Sequence, residues 1–233
     1  MSSVLPVAGP LSRGPDGRAA ADLGGTGRLA DDLYLMSHNE MTGKPLLQPR
    51  ALGIGLAAGV LAELMLPGVI GIGPQGLTLT GRAAAADPVQ FQVLEMIHGE
   101  GERHPVRDWL QFLARSIAPD VAGRLEAAGY LARTKGKGLW KSVRWVPVDQ
   151  NCAFAPILRI RSALNPLRQP SDFGATLTGL AAACGLGYRI TQYTGYSNAR
   201  SISETANYLK PTVRDLIAET QAAVDSALLA HRS

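Results

Sequence analysis

The chain has 233 residues, of which 46% are hydrophobic and 18% are charged, a composition that suits one large globular domain or two small ones. The formal net charge of +4 and the pI near 9.3 permit binding to acidic surfaces such as phospholipid or nucleic acid without requiring it. The two cysteines match no metal-binding or CxxC spacing, which argues against a zinc or redox motif and favours two buried reduced thiols.

The amino-terminal residues 1–27 are rich in Gly, Pro, Ala and Ser and show no apolar period, which predicts a disordered tail. A lysine-rich segment followed by an apolar segment is missing, so no signal peptide is predicted. Structure is expected to begin near Thr26, a candidate helix cap, and to continue as one helical domain over residues 28–233. The first helix is expected in LADDLYLMSHN, where Asp31 and Asp32 favour the positive end of the helix dipole.

The longest apolar run extends from Leu46 to Ile72 and is long enough to suggest a membrane span. Pro67 and Gly68 break this run, and Glu63 lies inside it. A buried central helix from about Pro49 to Leu66 therefore fits the run better. A helix that is apolar on every side must be surrounded by other elements, so the remainder of the chain is expected to wrap it.

Two segments are predicted to form β-hairpins. Val69–Ile72 and Leu77–Thr80 flank a glycine-rich turn, and a longer, more basic copy follows a helix that is predicted to start at Pro119. Both copies share the order helix, glycine-aliphatic turn, strand, loop, strand, which suggests an internal duplication of a helix–hairpin module.

The remaining segments complete a mainly α fold: a single globular helical domain around a buried central helix, with one or two β-hairpins. The predicted inward side chains include Phe112 in the fourth helix, Ala128 in the fifth, and Leu228 and Leu229 in the last. The stretch from Tyr188 to Tyr196 is ambiguous. Further helices are predicted at Pro88–His98, Val106–Ser116, Ala155–Ala163, Phe173–Leu186, Ile202–Lys210 and Pro211–His231.

The second hairpin carries the strongest functional signal because basic and aromatic residues alternate in it, with no acidic residue between Glu126 and Asp149. Each Lys or Arg near an anionic leaflet contributes about 1 kcal/mol of attraction, and indole rings prefer the depth of the headgroups. The pattern predicts a finger that touches a membrane; a core-packed hairpin with solvated lysines and a contact between two copies of the chain remain open alternatives. The residues of this finger are Lys135, Lys137, Trp140, Lys141, Arg144 and Trp145.

Other function classes are weaker. A winged helix that binds DNA would share the helix–hairpin order, but the helix before the hairpin offers only one arginine, so nucleic acid is a disfavoured partner. The carboxylate–histidine cluster EMIHGEGERH matches no zinc pattern and is interpreted as a solvated loop. GIGPQG lacks the Lys-Ser/Thr of a P-loop, and no GxSxG elbow is present. We therefore predict no catalysis, no cofactor and no metal.

Two segments carry a family resemblance. The first is G-L-x-x-G-x-L-x-E-L-x-x-x-G-x-I from Gly55 to Ile70, and the second is L-x-x-x-G-Y-L from Leu125 to Leu131, followed by the hairpin. Together with the order of elements, these segments resemble the Golgi phosphoprotein 3 family, in particular its bacterial, mainly actinobacterial, members. The resemblance covers roughly Leu29 to Ala230.

The resemblance implies a non-catalytic protein of the cytoplasm that binds phosphatidylinositol 4-phosphate at a membrane surface. It also implies protein partners and self-association through the second hairpin. The tryptophan of the eukaryotic lipid pocket corresponds to Gln48, and two of its three arginines correspond to Ala57 and Ala118. The third arginine falls near Arg115, and Arg50 is a local substitute. The implied headgroup site is therefore Gln48, Arg50 and Arg115, with phosphoinositide recognition only partly retained.

Overall fold

A central helix, α2 (Pro49–Met65), forms the axis of the structure, as predicted. Its first helical residue is Pro49, whose missing N–H costs nothing in the first turn. The residues of α2 are buried except Pro49, Arg50 and Glu63. The computed structural model describes residues 25–80, 85, 87–100, 104–135, 143–194 and 201–230, so most of the predicted amino-terminal tail lies outside it.

The other elements confirm a mainly α fold with two hairpins. A short 3₁₀ helix, Ala206–Tyr208, follows the helix Ile202–Thr205. The strands are β1 (Ile70–Ile72), β2 (Leu77–Leu79), β3 (Leu131–Lys135) and β4 (Val143–Pro147). The helices are α1 (Leu29–Met36), α3 (Pro88–Glu100), α4 (Val106–Leu113), α5 (Ile117–Ala127), α6 (Gln150–Ala163), α7 (Asp172–Ala183), α8 (Gly187–Thr194), α9 (Ile202–Thr205) and α10 (Pro211–Ala230).

The neighbouring helices pack closely against α2 because the glycines of α2 lie at the helix–helix contacts. α1, α4, α5, α7 and α10 all pack against it. A Cβ atom at Gly59 would lie 2.8 Å from the Cα of Ala30 in α1. A Cβ atom at Gly53 would collide with the backbone carbonyl of Ala114, just after α4. The glycines therefore set the distance between these backbones. Within the described ranges, no helix has the length and apolar character needed to cross a bilayer.

The two hairpins belong to modules with the same local geometry. Gly68 follows α2 and Gly129 follows α5, and both glycines have a positive φ, 76° and 80°. After each glycine, the next backbone N–H donates to a carbonyl of the preceding helix at 2.9 Å, from Val69 to Leu64 and from Tyr130 to Leu125. A chain reversal that needs positive φ explains why glycine stands at both positions.

The residue after the second strand of each hairpin makes an equivalent hydrogen bond to the residue after the glycine. The N–H of Thr80 donates to the carbonyl of Val69 at 3.0 Å, and the N–H of Val148 donates to that of Tyr130 at 3.0 Å. β1 pairs antiparallel with β2, and β3 pairs antiparallel with β4. The second hairpin is longer, and the loop at its tip, residues 136–142, lies outside the described residues.

Several predicted boundaries are wrong for local reasons. Thr26 does not cap α1; the cap position is Arg28, and Thr26 hydrogen-bonds to a carboxylate instead. α5 starts at Ile117, so Pro119 lies within its first turn rather than at its beginning. α6 starts at Gln150 because the carboxylate of Asp149 accepts the N–H of Asn151 at 2.9 Å. Residues 188–194 of the ambiguous stretch belong to α8, and its last two residues lie outside the described residues. The predicted helix Ile202–Lys210 is split between α9 and the 3₁₀ helix.

Four predicted inward residues are exposed. Phe112 is 51% exposed, because the buried face of α4 consists of Val106, Trp109, Leu110 and Leu113 and leaves Phe112 on its flank. Ala128 is exposed at the end of α5. Near the end of α10, Leu228 and Leu229 are 37% and 67% exposed, because the buried residues of this helix end at Val224.

The substitution Gly59→Ala tests the close contact between α1 and α2. We expect it to lower the free energy of unfolding by about 1–3 kcal/mol, because its new methyl group meets the backbone of Ala30 rather than a flexible side chain. Urea unfolding followed by circular dichroism measures the change. Gly123→Ala in α5 is the control, since a Cβ there meets no atom within 4 Å and the substitution favours a helix. Equal effects of the two substitutions would contradict the packing described here.

Candidate functional site

The amino end of α2 carries two of the residues predicted to bind an anion. Gln48 precedes the helix and Arg50 lies in its first turn, and both residues are exposed. The guanidinium of Arg50 donates from Nη2 to Oε1 of Gln111 in α4 at 3.5 Å. This contact places the cationic side chain of Arg50 over the carboxyl-terminal half of α4.

The third predicted residue, Arg115, lies at the same junction. Gly53, one turn further along α2 than Pro49, packs against the backbone of Ala114. Arg115 is the next residue, in the short link between α4 and α5, and it is exposed. The backbone of Arg115 therefore lies close to the first two turns of α2. We call the exposed residues Gln48, Arg50 and Arg115 the arginine junction.

The electrostatics of the arginine junction favour a negative ligand. In the part of the chain that the structure describes, neither Arg50 nor Arg115 forms an ion pair with a carboxylate. The amino ends of α2 and α5 both lie here, and neither Gln48 nor Ser116 caps its helix with a side chain. Uncapped amino ends present free N–H groups and a partial positive charge. The junction therefore combines two guanidinium groups with two helix amino ends.

The positive charge on the described part of the second hairpin is partly neutralised by an ion pair. Arg133 pairs with Glu126, with Nε 2.7 Å from Oε2, and its guanidinium carbon lies 5.6 Å from the ring centroid of Trp145. Trp145 is half-buried against the core, and its indole N–H donates to the same Glu126 carboxylate at 3.4 Å. Arg144 is exposed on β4. Trp145 is therefore anchored to the domain rather than held out from it.

The other hairpin predictions rest on positions that the structure describes little or not at all. Lys135 is the last residue of β3, paired in register with Val143. Lys137, Trp140 and Lys141 lie outside the described residues.

The loop that leads into α2 lies beside the arginine junction. The side chain of Asn39 accepts the N–H groups of Met41 and Thr42 at 3.1 and 2.8 Å, which fixes a tight loop over residues 39–46. Gly43, with φ of 60°, packs this loop against the backbone of Trp145. The loop runs directly into α2, so it connects the second hairpin to the arginine junction.

Most side chains of this loop are exposed, and some of them are apolar. Met41 is 67% exposed and Leu46 is 45% exposed, and Lys44 between them is exposed as well. The one acidic residue of the loop, Glu40, is paired with Arg189 of α8 at 2.9 Å. The loop thus offers two apolar side chains and a cation. No pattern in the sequence indicates this, because the direction of Met41 depends on the bonds to Asn39.

A buried ionic cluster holds the surrounding helices in place. Arg124 of α5 donates from Nε to Oδ1 of Asp31 at 2.8 Å and from Nη1 to Oδ2 of Asp87 at 3.0 Å. The same guanidinium lies 3.4 Å from the carboxylate of Glu63 in α2. Arg28 forms a further ion pair with Asp87. One side chain of α5 is therefore tied to α1, to α2 and to the residue that precedes α3.

The carboxylates of the cluster have further partners. Oε1 of Glu63 accepts the backbone N–H of Ala30 at 2.9 Å, and its Oε2 accepts the side-chain amide of Gln90 at 2.8 Å. Asp87 caps α3 by accepting the N–H of Val89 at 2.8 Å. A buried charge costs little only when it is paired and hydrogen-bonded, and these carboxylates meet both conditions.

Asp31 and Asp32 are buried rather than exposed in the first turn of a helix. Burial raises the pKa of Asp31 to about 7; Arg124 opposes this increase and the charge of Glu63 adds to it. Burial likewise raises the pKa of Asp32 to about 6, against the effect of Arg159, whose Nη1 lies 3.3 Å from Oδ2 of Asp32. For Arg124, burial disfavours the charged form, but the carboxylates of Glu63, Asp31 and Asp87 outweigh it and raise its pKa.

These features define the class of the protein. It is a mainly helical protein in which helices pack around a buried central helix, with two helix–hairpin modules and a cationic junction at the surface. The sequence model of the Golgi phosphoprotein 3 (GPP34) family matches residues 29–220, so the chain belongs to that family. The family prediction is confirmed. A comparison with curated proteins gives no match.

The raised pKa values make the stability of the fold depend on pH. The carboxyl group of Asp31 has a pKa of about 7 in the folded chain and 3.8 in the unfolded chain. At pH values between these two, the folded chain binds a proton at Asp31 that the unfolded chain has released. The contribution of Asp31 to the free energy of unfolding therefore falls as the pH rises from about 4 to about 7. We expect urea unfolding over this range to show a decline in the original protein that is shallower in Asp31→Asn. The same slope in both proteins would contradict the raised pKa.

Proposed function

We propose that this protein is a non-catalytic peripheral membrane protein that binds anionic phospholipid headgroups at the arginine junction. Phosphatidylinositol 4-phosphate is the headgroup that membership of the family suggests. The observation that carries the proposal is the placement of Arg50 beside the α4–α5 link that contains Arg115, without a carboxylate partner for either within the described residues. We place its action at the cytoplasmic face of a membrane.

The chemistry of the junction suits a phosphate monoester. Guanidinium groups donate two parallel hydrogen bonds to phosphate oxygens, and helix amino ends add backbone N–H donors of matching polarity. Two of the positions that correspond to arginines in eukaryotic members are occupied by alanine. Ala57 is fully buried in α2, and Ala118 is half-buried at the start of α5. The junction has two guanidinium groups and, at position 48, a glutamine instead of an aromatic residue. We therefore expect it to bind anionic phosphate groups in general rather than one particular inositol lipid.

The surroundings of the junction support attachment to a bilayer rather than binding of a free phosphate. The loop over residues 39–46 exposes Met41 and Leu46 close to the start of α2. A lipid whose headgroup is bound at the junction would place the apolar part of the bilayer near these two side chains. Lys44 in the same loop and Arg144 on β4 add exposed positive charge. Cations near an anionic leaflet contribute about 1 kcal/mol each. The second hairpin is a further proposed contact with the membrane or with a second copy of the chain.

The rival proposal, a winged helix on DNA, finds less support. The helix that would read bases is α5, and its single arginine, Arg124, is buried among three carboxylates. An arginine held in this way does not reach a base edge, and base-edge contacts are what give a recognition helix its specificity.

Co-sedimentation with vesicles tests the proposal. The chain is mixed at low salt with phosphatidylcholine vesicles that contain a minor fraction of phosphatidylinositol 4-phosphate. We expect binding, and we expect the double variant Arg50→Gln and Arg115→Gln to lose about 2 kcal/mol of it, a factor of about 30 in the partition coefficient. The matched control is Arg161→Gln with Arg214→Gln, which removes the same charge from exposed positions elsewhere.

Three results would contradict the proposal. These are absence of binding at low salt, where electrostatic attraction is strongest, equal losses in the two double variants, and equal binding to vesicles without anionic lipid. A mobility shift with duplex DNA that weakens as salt rises, in the absence of vesicle binding, would favour the rival class.

A further inference from the structure

A cavity of about 460 Å³ opens between the carboxyl end of α3 and one side of α4. Its aromatic wall consists of Trp109, which is 5% exposed, and Phe112, which is 51% exposed. The two ring centroids are 6.1 Å apart, and the rings are nearly perpendicular. An aromatic side chain that stands half out of the protein beside a cavity is therefore available to contact a ligand.

Acidic side chains complete the cavity. Glu95 and Glu100 from α3 and Asp108 from α4 contribute to its lining, and the lining includes no lysine or arginine among the described residues. Nε2 of His104 lies 3.2 Å from Oε2 of Glu100, which orients that carboxylate at the cavity. Glu95 and Asp108 form no ion pair in the described part of the chain. The described lining is thus mainly apolar and aromatic, with three carboxylates at its edge.

This site explains two observations that the lipid proposal leaves unused. The carboxylate–histidine segment, interpreted above as a solvated loop, contributes Glu95, Glu100 and His104 to one cavity. Phe112, whose predicted burial is wrong, forms part of the wall of that cavity. No group of side chains in the described ranges has the arrangement needed to hold a metal ion.

We propose that this cavity binds a small hydrophobic organic cation of the arylalkyl ammonium class. Its volume lies in the usual range of about 300–1,000 Å³ for pockets that take small molecules. The aryl group would occupy the apolar interior against Trp109 and Phe112. The ammonium group would face the carboxylates of Glu100 and its neighbours and the electron-rich face of an aromatic ring, which are the two kinds of group that attract organic cations in proteins.

The proposal is independent of lipid binding, because it uses residues of α3 and α4 that are not part of the arginine junction. A neutral ligand of the same shape would gain only the apolar contact, and an anion would be repelled by the carboxylates. Selectivity for a positively charged ligand is therefore what would distinguish this site from an ordinary apolar pocket.

Isothermal titration calorimetry with 2-phenylethylammonium and with 2-phenylethanol, its uncharged analogue, tests this property. We expect saturable binding of the ammonium compound and at least about tenfold weaker binding of the alcohol, because the alcohol lacks the charge that the carboxylates and the aromatic rings attract. We expect Glu100→Gln and Phe112→Ala each to weaken binding of the ammonium compound by about three- to tenfold. Both residues are exposed, so both variants should fold, and circular dichroism checks this.

Phe91→Ala is the matched control, since Phe91 is 57% exposed on α3 and does not line the cavity. It should leave the affinity unchanged. Equal affinity for the ammonium compound and the alcohol would overturn the proposal, and so would the absence of saturable binding. Equal effects of Phe112→Ala and Phe91→Ala would also overturn it, because the aromatic wall would then have no part in binding.

Discussion

The buried guanidinium of Arg124 is the interaction on which the arrangement of the rest depends. It contacts carboxylates from α1, from α2 and from the residue that caps α3, while its own backbone belongs to α5. Each of these charges would be costly in the interior without its partners, so the cluster forms only when the four segments take their native positions together. The apolar surface of α2 drives its burial, but the hydrophobic effect alone does not determine how the surrounding helices are oriented. The ionic cluster selects one orientation of the helices around α2.

The same cluster relates the two helix–hairpin modules to each other. Glu63 and Arg124 each lie five residues before the glycine that follows their helix, so they occupy equivalent positions in the two modules. Their side chains meet at 3.4 Å. The modules therefore join through corresponding residues of opposite charge. Their amino ends, near Pro49 and Ile117, lie on the surface where Arg50 and Arg115 are exposed.

Much of the fold follows from patterns in the sequence. The bounds of α2 could be predicted because a long apolar run with Pro49 at its start and Gly68 after it has few other solutions. Both hairpins could be predicted from glycine turns between aliphatic segments. The phase of the amphipathic helices was less certain. Periodicity says which residues share a face but not how far that face is covered, and Phe112 and Leu229 are exposed for this reason.

The site was harder to predict than the fold. Asp31 and Arg124 are 93 positions apart, and nothing local shows that a carboxylate in a first turn is buried against a distant arginine. The residues Gln48, Arg50 and Arg115 came from family resemblance, which supplied positions that no charge pattern marks. The exposed Met41 was missed because its direction is set by bonds to the side chain of Asn39 and by contact of the loop with β4. Such features arise from tertiary contacts, which a single sequence does not display.

The central claim is that phosphate headgroups bind where α2 begins and α4 meets α5. Nuclear magnetic resonance of the isotopically labelled chain, titrated with a short-chain soluble phosphatidylinositol 4-phosphate, tests this claim most directly. The account predicts saturable shifts of the backbone amides of Arg50, Ala51, Arg115 and Ser116 with one common affinity. Saturable shifts confined to the second hairpin, or the absence of shifts at these four amides, would contradict it.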